Sequence, residues 1–456
     1  MPTPPKADSL GLDVDTIAAV ATPVGSGGVG IVRISGPRAR AIGETVSARS
    51  LHPREAFYCR FRNAQGEVVD DGIVLYFAGP ASFTGEDVVE LQGHGGPVVV
   101  QMVLGIVLEA GARQARPGEF SERAYLNGKM DLAQAEAIAD LISSSSTAAA
   151  RGAVRSLQGV FSERVRKIDE AVLGVRMYVE AAIDFPEEEV DFLSEGDIAA
   201  RITAILADVD DLIRDSRQGV LLRDGVTIAL LGAPNVGKSS LLNALAGEDR
   251  AIVTDIPGTT RDLVRADLEL AGIPVTVVDT AGLRTTDDPV EREGVRRAED
   301  QARSADLILV VTDVTDPNEC SIELPEASQE IPVIQVHNKI DRTSAPPGPL
   351  TGEPLPVVRV SALTGDGIDE LRAQILAAVG YTEHAGTFTA RQRHLLALQA
   401  AAAGLARAAG LAASADGGEL VAEELRGVHT ELGTLLGGIT ADDLLGEIFS
   451  SFCIGK

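Results

Sequence analysis

The sequence predicts a multidomain chain that combines α/β and all-α folds. It indicates an N-terminal α/β domain, a helical domain, and an inserted α/β domain with a doubly wound, mostly parallel sheet. The chain has 456 residues, which is more than usually fold around a single hydrophobic core. Its hydrophobic pattern changes to helical periods around Lys129, and to alternating strands and helices at Gly225. Helix-like sequence resumes beyond about Glu383.

The first part of the chain, from Thr16 to about Gly128, contains short β-rich runs separated by Gly and Pro. The clearest runs are 31–34, 72–77 and 87–91, and this pattern is typical of a compact α/β domain. The next part has one apolar stripe at helical spacing, formed by Ile202, Ile205, Leu206, Val209, Leu212 and Ile213.

Buried runs alternate with helix-like segments in the part that follows. These runs are 226–231, 275–278, 307–311, 333–336 and 357–360. Such alternation predicts a doubly wound, mostly parallel sheet. The expected limits are 1–128 for the N-terminal domain, 129–222 and 384–456 for the two parts of the helical domain, and 223–383 for the inserted domain.

The composition excludes several classes of protein. Acidic residues outnumber basic ones by 67 to 40, which argues against nucleic-acid binding driven by bulk charge. Cys59, Cys320 and Cys453 are too far apart to form a Cys-x-x-Cys metal pair. The N-terminal sequence lacks the regions of a secretory signal, and no run approaches the roughly 18 apolar residues of a membrane span. We therefore expect a cytoplasmic protein.

A phosphate-binding motif follows the first run of the inserted domain. The sequence from Gly232 to Ser239 is Gly-Ala-Pro-Asn-Val-Gly-Lys-Ser, a full match to G-x-x-x-x-G-K-[ST]. Its glycines allow backbone N–H groups to surround a phosphate, and the next helix adds the positive end of its dipole. We expect Lys238 to reach the β- and γ-phosphates and the Ser239 hydroxyl to bind Mg²⁺.

Two further segments are expected near the phosphates. Asp279-Thr-Ala-Gly282 follows a buried run, where Asp279 can hold Mg²⁺ through water and the Gly282 N–H can contact the γ-phosphate. The segment 254–262, Thr-Asp-Ile-Pro-Gly-Thr-Thr-Arg-Asp, is typical of a mobile switch loop. We expect Thr260 to supply its hydroxyl to Mg²⁺.

The base is expected to be guanine. The sequence Asn338-Lys-Ile-Asp341 follows the run 333–336, and a carboxylate at Asp341 can accept hydrogen bonds from the paired donors N1 and N2 of guanine. Ser361-Ala362 after the last run is expected to lie at the O6 side. This order of four motifs is specific to G proteins and predicts a GTP-binding, GTP-hydrolysing enzyme.

The residue that orients the attacking water is not evident from these motifs. Leu283 stands where small signalling GTPases carry a Gln, and leucine cannot hydrogen-bond to water. Four acidic residues follow closely and are the candidates for this role: Asp287, Asp288, Glu291 and Glu293.

Four stretches outside the nucleotide motifs distinguish between families of GTPases better than the widely shared nucleotide motifs do. They are 21–33 (Ala-Thr-Pro-Val-Gly-Ser-Gly-Gly-Val-Gly-Ile-Val-Arg), 83–96 (Phe-Thr-Gly-Glu-Asp-Val-Val-Glu-Leu-Gln-Gly-His-Gly-Gly), 115–123 (Ala-Arg-Pro-Gly-Glu-Phe-Ser-Glu-Arg) and 452–456 (Phe-Cys-Ile-Gly-Lys). With them, the chain resembles the tRNA-modification GTPase MnmE (TrmE) family of the TrmE-Era-EngA-YihA-Septin-like G proteins.

The resemblance implies an N-terminal domain that binds folate and dimerises. It implies a homodimer that forms a heterotetramer with an FAD-containing partner (MnmG, or GidA). Together they would add a carboxymethylaminomethyl or aminomethyl group to carbon 5 of the tRNA wobble uridine, with a one-carbon unit from 5-formyl- or 5,10-methylene-tetrahydrofolate. GTP hydrolysis in this family depends on Mg²⁺ and K⁺, and on contact between G domains across the dimer.

The resemblance also implies roles for single residues. Glu291 would orient the attacking water, and Lys238 would be the second catalytic residue. The K⁺ ligands would be Asn235, Thr254, Ile256 and Thr259. The folate contacts would be Arg33, Glu90, Lys129 and Lys456. The full set of GTP contacts would be Asn235, Val236, Gly237, Lys238, Ser239, Ser240, Thr254, Asp255, Ile256, Pro257, Gly258, Thr259, Thr260, Asp279, Thr280, Ala281, Gly282, Asn338, Lys339, Asp341, Ser361 and Ala362.

Two other functions fit part of the sequence. A regulatory RNA-binding or ribosome-assembly GTPase would explain the G motifs, although such proteins usually carry a basic appendage. An N-terminal domain that acts as an independent folate-dependent aminomethyltransferase is a second alternative. Cys453 is a candidate nucleophile toward the uridine, which would require a lowered thiol pKa. We interpret Gly25-Ser-Gly-Gly-Val-Gly30 as a turn, because a strand rather than a helix is expected after it.

Overall fold

The computed structural model describes residues 15–184, 198–247, 265–279, 305–316, 331–382, 388–412, 418–438, 442–453 and 455. The chain forms two compact units. One consists of residues 1–139, 156–209 and 397–456, and the other of residues 140–155 and 210–396. Both units contain segments of the expected helical domain, and the three-domain limits stay a prediction.

The first unit contains a six-stranded sheet in the order β3-β4-β5-β2-β1-β6. Its strands are β1 (Ile17–Val20), β2 (Gly27–Ser35), β3 (Ala56–Arg62), β4 (Val68–Phe77), β5 (Val88–Gly95) and β6 (Arg113–Gln114). All neighbouring pairs are antiparallel except β1 and β6, which are parallel. The three predicted strand runs lie in β2, β4 and β5. β2 begins at Gly27, so the interpretation of Gly25–Gly30 as a turn is wrong for Gly27–Gly30, which belong to the strand, whereas the expected strand after the segment is confirmed.

The helices α1 (Ala39–Ser47) and α2 (Pro97–Glu109) complete this core. Inward residues of the strands alternate with exposed ones, and the inward set packs with apolar residues of both helices. Pro97 stands at the first position of α2, where its missing N–H costs no helical hydrogen bond.

A group of ion pairs fixes helix α3 (Glu119–Leu126) within this unit. The buried Glu119 carboxylate accepts hydrogen bonds from Arg113, at 2.7 Å, and Arg123, at 3.1 Å. Burial raises the pKa of Glu119, but these bonds and the Arg116 backbone N–H outweigh it, so the net pKa is lowered. Glu119 is therefore held as a charged group inside the unit.

The remaining helices follow the predicted helical periods. They are α4 (Leu132–Ser143), α5 (Thr147–Leu157), α6 (Val160–Asp184), α7 (Ile198–Asp224), α8 (Lys238–Ala246), α9 (Ile368–Ala378), α10 (Gln392–Ala412), α11 (Gly418–Leu436) and α12 (Asp442–Ser450), together with a short 3₁₀ helix at Ile340–Arg342.

Helix α10 is long and apolar enough to cross a membrane by length and composition. Gln399 and Arg407 interrupt its apolar sequence, so this helix does not contradict the expectation that no apolar run approaches about 18 residues. Leu398, Ala401, Leu405 and Ala408 are fully buried and recur at intervals of three and four residues. This stripe is typical of a helix in the core of a packed domain.

The second unit contains a seven-stranded sheet in the order β12-β13-β11-β10-β7-β9-β8. Its strands are β7 (Val226–Leu231), β8 (Arg265–Leu270), β9 (Ile273–Asp279), β10 (Leu307–Asp313), β11 (Val333–Asn338), β12 (Gly348–Leu350) and β13 (Val357–Arg359). β7, β9, β10, β11 and β13 are parallel, whereas β8 and β12 are antiparallel edge strands. The predicted mostly parallel sheet is confirmed, and the two edge strands are additional to the prediction.

Candidate functional site

The nucleotide motifs lie in loops that leave one edge of the second sheet. β7 is central, with β9 on one side and β10 and β11 on the other. Because these strands are parallel, their carboxyl ends meet at the same edge, where ligands bind in folds of this type. The P-loop, the end of β9 at Asp279, and the Asn338 and Ser361 loops all start there.

The P-loop joins β7 to α8 through two residues with left-handed backbone. Asn235 has φ 67° and Gly237, which precedes the first helical residue, has φ 96°. A Cβ atom at Gly237 would collide with Nδ2 of Asn338, so both the backbone angle and the close approach require glycine. Lys238 Nζ donates to the carbonyl oxygen of Gly232 at 2.8 Å. The P-loop lysine therefore lies over the loop that is predicted to surround the phosphates.

Asn338 connects three of the predicted segments. Its Nδ2 donates to the Val236 carbonyl at 2.8 Å, and its Oδ1 accepts from the Ala362 N–H at 3.0 Å. The residue is only 2% exposed, so both bonds are shielded from water. One amide side chain thus holds the P-loop and the Ser361-Ala362 segment at fixed positions.

Lys339 makes a second connection to the P-loop, through a residue that sequence reasoning missed. Its Nζ donates to the Asn235 carbonyl at 2.7 Å and to Oδ2 of Asp313 at 2.6 Å. Burial raises the pKa of Asp313, but the bonds from Lys339 and Thr315 outweigh it and bring that pKa to about 2. The only sequence signal for Asp313 is a carboxylate that ends an otherwise apolar strand.

The predicted base-recognition residues also meet. Ser361 Oγ donates to Oδ1 of Asp341 at 2.6 Å, and the Thr364 N–H donates to Ser361 Oγ at 3.2 Å. These bonds orient an exposed carboxylate at the rim of the P-loop crevice. Selection of guanine by Asp341 stays a prediction.

Several predicted residues lie outside the described part of the chain. They are Thr254, Asp255, Ile256, Pro257, Gly258, Thr259, Thr260, Thr280, Ala281, Gly282, Asp287, Asp288, Glu291, Glu293 and Lys456. The backbone of Asp279 is described and its side chain is not. Ser239 and Ser240 lie in the first turn of α8.

Two of the predicted folate contacts form an ion pair on the first sheet. Arg33 on β2 faces Glu90 on β5, and the guanidinium lies 2.9 Å from the carboxylate. Its carbon Cζ is also 5.2 Å from the ring centre of Phe83 and 5.8 Å from that of Phe120. Phe120 is fully buried and Phe83 is partly exposed, so of these two rings Phe83 can offer a face to a planar, polar heterocycle beside the ion pair.

Lys129 and the C-terminal segment lie elsewhere in the same unit. Lys129 Nζ donates to the Pro80 carbonyl at 2.9 Å, in the loop that also carries Phe83. Gly455 lies against the Val20 carbonyl at the end of β1, so closely that a Cβ atom would collide with it. Cys453 is exposed, and its carbonyl accepts from the Gly118 N–H at 3.4 Å.

Comparison with known proteins agrees with this architecture. The family model described as MnmE helical domain matches residues 132–453, and the model described as GTP-binding protein TrmE N-terminus matches residues 16–129. The chain belongs to the MnmE family.

Three relatives named tRNA modification GTPase MnmE are similar to this family member along almost its whole length. The Legionella pneumophila protein is 51% identical over 98% of this chain and 100% of its own. The proteins of Methylococcus capsulatus and Pseudomonas fluorescens are each 52% identical over 97% of this chain and 99% of their own. Full coverage at this identity extends the MnmE relationship to both compact units.

Proposed function

We propose that this MnmE family member is a K⁺-stimulated GTPase that modifies carbon 5 of the tRNA wobble uridine. It would act as a homodimer in the cytoplasm, in a heterotetramer with an FAD-containing partner (MnmG). The product would be a carboxymethylaminomethyl or aminomethyl group built with a tetrahydrofolate one-carbon unit. The GTPase activity in this proposal is supported by one observation. The P-loop, Asn338, Lys339 and Ser361 meet at one edge of the sheet.

Each part of the nucleotide has a proposed partner. The P-loop N–H groups and Lys238 bind the phosphates, and Ser239 and Thr260 ligate Mg²⁺ with Asp279 acting through water. Asp341, oriented by Ser361, accepts hydrogen bonds from the guanine ring. The expected result is a preference for GTP over ATP of at least about 1,000-fold in competition binding, since adenine would cover the Asp341 carboxylate without offering it the paired donors of guanine. Equal affinity for the two nucleotides would contradict the assignment.

K⁺ would neutralise the charge that develops between the β- and γ-phosphates. Its ligands would be Asn235, Thr254, Ile256 and Thr259, and the water would be oriented by Glu291. Asn235 is held in its left-handed conformation by the Lys339 bond to its carbonyl, which supports a preorganised ligand. GTP turnover should therefore be faster in KCl than in NaCl at equal ionic strength. Glu291→Ala should lose turnover and keep nucleotide affinity.

Folate would bind in the first unit near Arg33 and Glu90, with Lys129 and Lys456 as further contacts. The partly exposed Phe83 ring beside Arg33 supports a site for a pterin ring. Arg33→Ala should weaken 5-formyl-tetrahydrofolate binding by tenfold or more in calorimetry. The matched control is Arg40→Ala, which removes an exposed arginine paired with Glu44 in the same unit.

The place of the protein in tRNA modification is tested by nucleoside mass analysis. A strain that lacks the chain should lose the carbon-5 group of the wobble uridine and regain it with the wild-type gene. An unchanged modification profile would favour a regulatory RNA-binding or ribosome-assembly GTPase. Replacement of Cys453 by Ser in the same assay tests whether its thiol takes part.

A further inference from the structure

A cluster of metal-ligating side chains lies on the first sheet, where β4 and β5 separate. Asp70, Asp71 and His94 each offer a ligand atom, and these three atoms lie within 4.8 Å of one another. The β4–β5 register runs from the Phe77–Val88 pair to the Ile73–Gln92 pair, so the cluster lies just beyond the last registered pair.

The centre of the cluster is a carboxylate in a closely fitted position. The Asp70 side chain is 8% exposed, although it carries a charge. Its Oδ1 lies 2.7 Å from Nδ1 of His94, and its Oδ2 accepts from the His94 backbone N–H at 2.8 Å. A Cβ atom at position 93 would collide with Oδ2, so Gly93 leaves the space that the carboxylate occupies.

The outer part of the cluster is open to solvent. The His94 ring is 69% exposed. Asp71 lies opposite Arg60 in the register of β3 and β4, and its carboxylate raises the pKa of the Tyr58 hydroxyl. Arg60 is a cation that faces the cluster from β3. Two carboxylates and one imidazole therefore present anionic oxygens and a ring nitrogen at one place, beside one guanidinium.

We propose that Asp70, Asp71 and His94 bind a divalent transition-metal ion of the Zn²⁺ class. Metal bonds to nitrogen and oxygen of about 2.0–2.2 Å in a tetrahedral set place neighbouring ligand atoms roughly 3.4 Å apart. Nδ1 and Oδ1 lie at a hydrogen-bond distance of 2.7 Å, so the two atoms would move slightly apart as the ion replaces the proton between them. Asp71 would complete the set by a change of side-chain rotamer, and water would fill the other positions.

The ligand types select the class of ion. Imidazole nitrogen suits Zn²⁺ and its neighbours in the transition series, whereas Mg²⁺ and Ca²⁺ prefer oxygen-only sites. A purely structural role, in which Asp70 caps the free N–H of His94 at the strand end, accounts for Oδ2. In that role the His94 ring is the partner of Asp70 Oδ1, and the Asp71 carboxylate is the partner of Arg60 and Tyr58, so only a binding measurement separates it from metal binding.

The test measures Co²⁺, a spectroscopic substitute for Zn²⁺, bound by the full chain. Equilibrium dialysis in saturating GDP and Mg²⁺ keeps the nucleotide site filled. Asp71→Asn and His94→Gln should each weaken binding of one equivalent at least tenfold, while Asp71→Glu, which retains a carboxylate, should restore it. The matched controls are His52→Gln and Asp369→Asn, which change an exposed imidazole and an 89% exposed carboxylate.

Two results would overturn the proposal. One is a wild-type chain that binds no Co²⁺ under these conditions, and the other is binding that is equally strong in both variants. GTP turnover of each variant should match the wild type, because neither residue belongs to the nucleotide site. Reduced turnover in one variant would indicate that its fold is disturbed. Co²⁺ binding is then compared between the wild type, the other variant and Asp71→Glu.

Discussion

Replacement of Gly237 by Ala tests how tightly the P-loop and the Asn338 loop are coupled. Gly237 has φ 96°, and a Cβ there would collide with Nδ2 of Asn338. Gly352 is the matched control, since it has φ 95° and its added Cβ would meet nothing within 4 Å. The left-handed angle alone costs about 1–2 kcal/mol for a residue with a Cβ. That amount is the whole expected cost of Gly352→Ala.

Gly237→Ala should cost more, because the collision displaces a buried side chain. Asn338 would lose its bonds to the Val236 carbonyl and the Ala362 N–H. Each buried group left without a partner costs roughly 1–3 kcal/mol. The expected total for Gly237→Ala is therefore about 3–8 kcal/mol, which includes the backbone angle.

Hydrogen exchange with mass spectrometry measures this difference locally. The free energy of opening is read from peptides that cover β7 and β11, so the unfolding of other parts of the chain does not enter. Gly237→Ala should lower it by at least about 2 kcal/mol more than Gly352→Ala does. In the double variant Gly237→Ala/Asn338→Ala, the two costs should not add, because the clashing side chain is gone. Equal costs for the two glycine variants would refute the coupling.

Three further substitutions test single contacts. Asp313→Asn removes the negative charge that faces Lys339. The Asp313 pKa, lowered from 3.8 to about 2, corresponds to a contribution of at most roughly 2 kcal/mol to the free energy of unfolding. The wild type should therefore lose this stability as the pH falls from about 4 to about 2, and the variant should show no such step in β10 exchange. Glu119→Gln removes the buried charge that Arg113 and Arg123 share and leaves them Asp15 and Glu86 as partners, so it should lower the stability of the first unit by about 1.5–3 kcal/mol, measured by exchange in α3 peptides. Ser361→Ala removes the partner of Asp341 and should weaken GDP binding by roughly fivefold, measured with a fluorescent nucleotide, and lower the GTP-to-ATP preference by a similar factor.

The strands of the second sheet were the most predictable elements. β7 and β10 are almost wholly buried, and a strand covered on both faces reads as a continuous apolar run. The predicted strands end too early, however. The observed strands continue beyond the apolar residues into polar ones such as Asp313 and Asn338. The edge strands β8 and β12 were not predicted. An edge strand faces solvent, so its sequence carries a weaker hydrophobic pattern.

The candidate site was predictable where a motif combines several residues at fixed spacing. The P-loop and Asn338-Lys-Ile-Asp341 are of this kind. Asp313 was not predictable, because its partner Lys339 is distant in sequence and a single carboxylate at a strand end has many possible roles. The Arg33–Glu90 pair depends on the register of β2 against β5, which no local pattern fixes.

The contacts of Asn338 and Lys339 have a consequence for how mutations in the guanine motif should be interpreted. These adjacent residues reach two adjacent P-loop carbonyls, those of Val236 and Asn235. The loop assigned to the base and the loop assigned to the phosphates therefore move as one body. Substitution of either residue should weaken binding of phosphate groups and base together. Asp341 contacts Ser361 instead, so its substitution should change the choice of base and leave the phosphate loop in place.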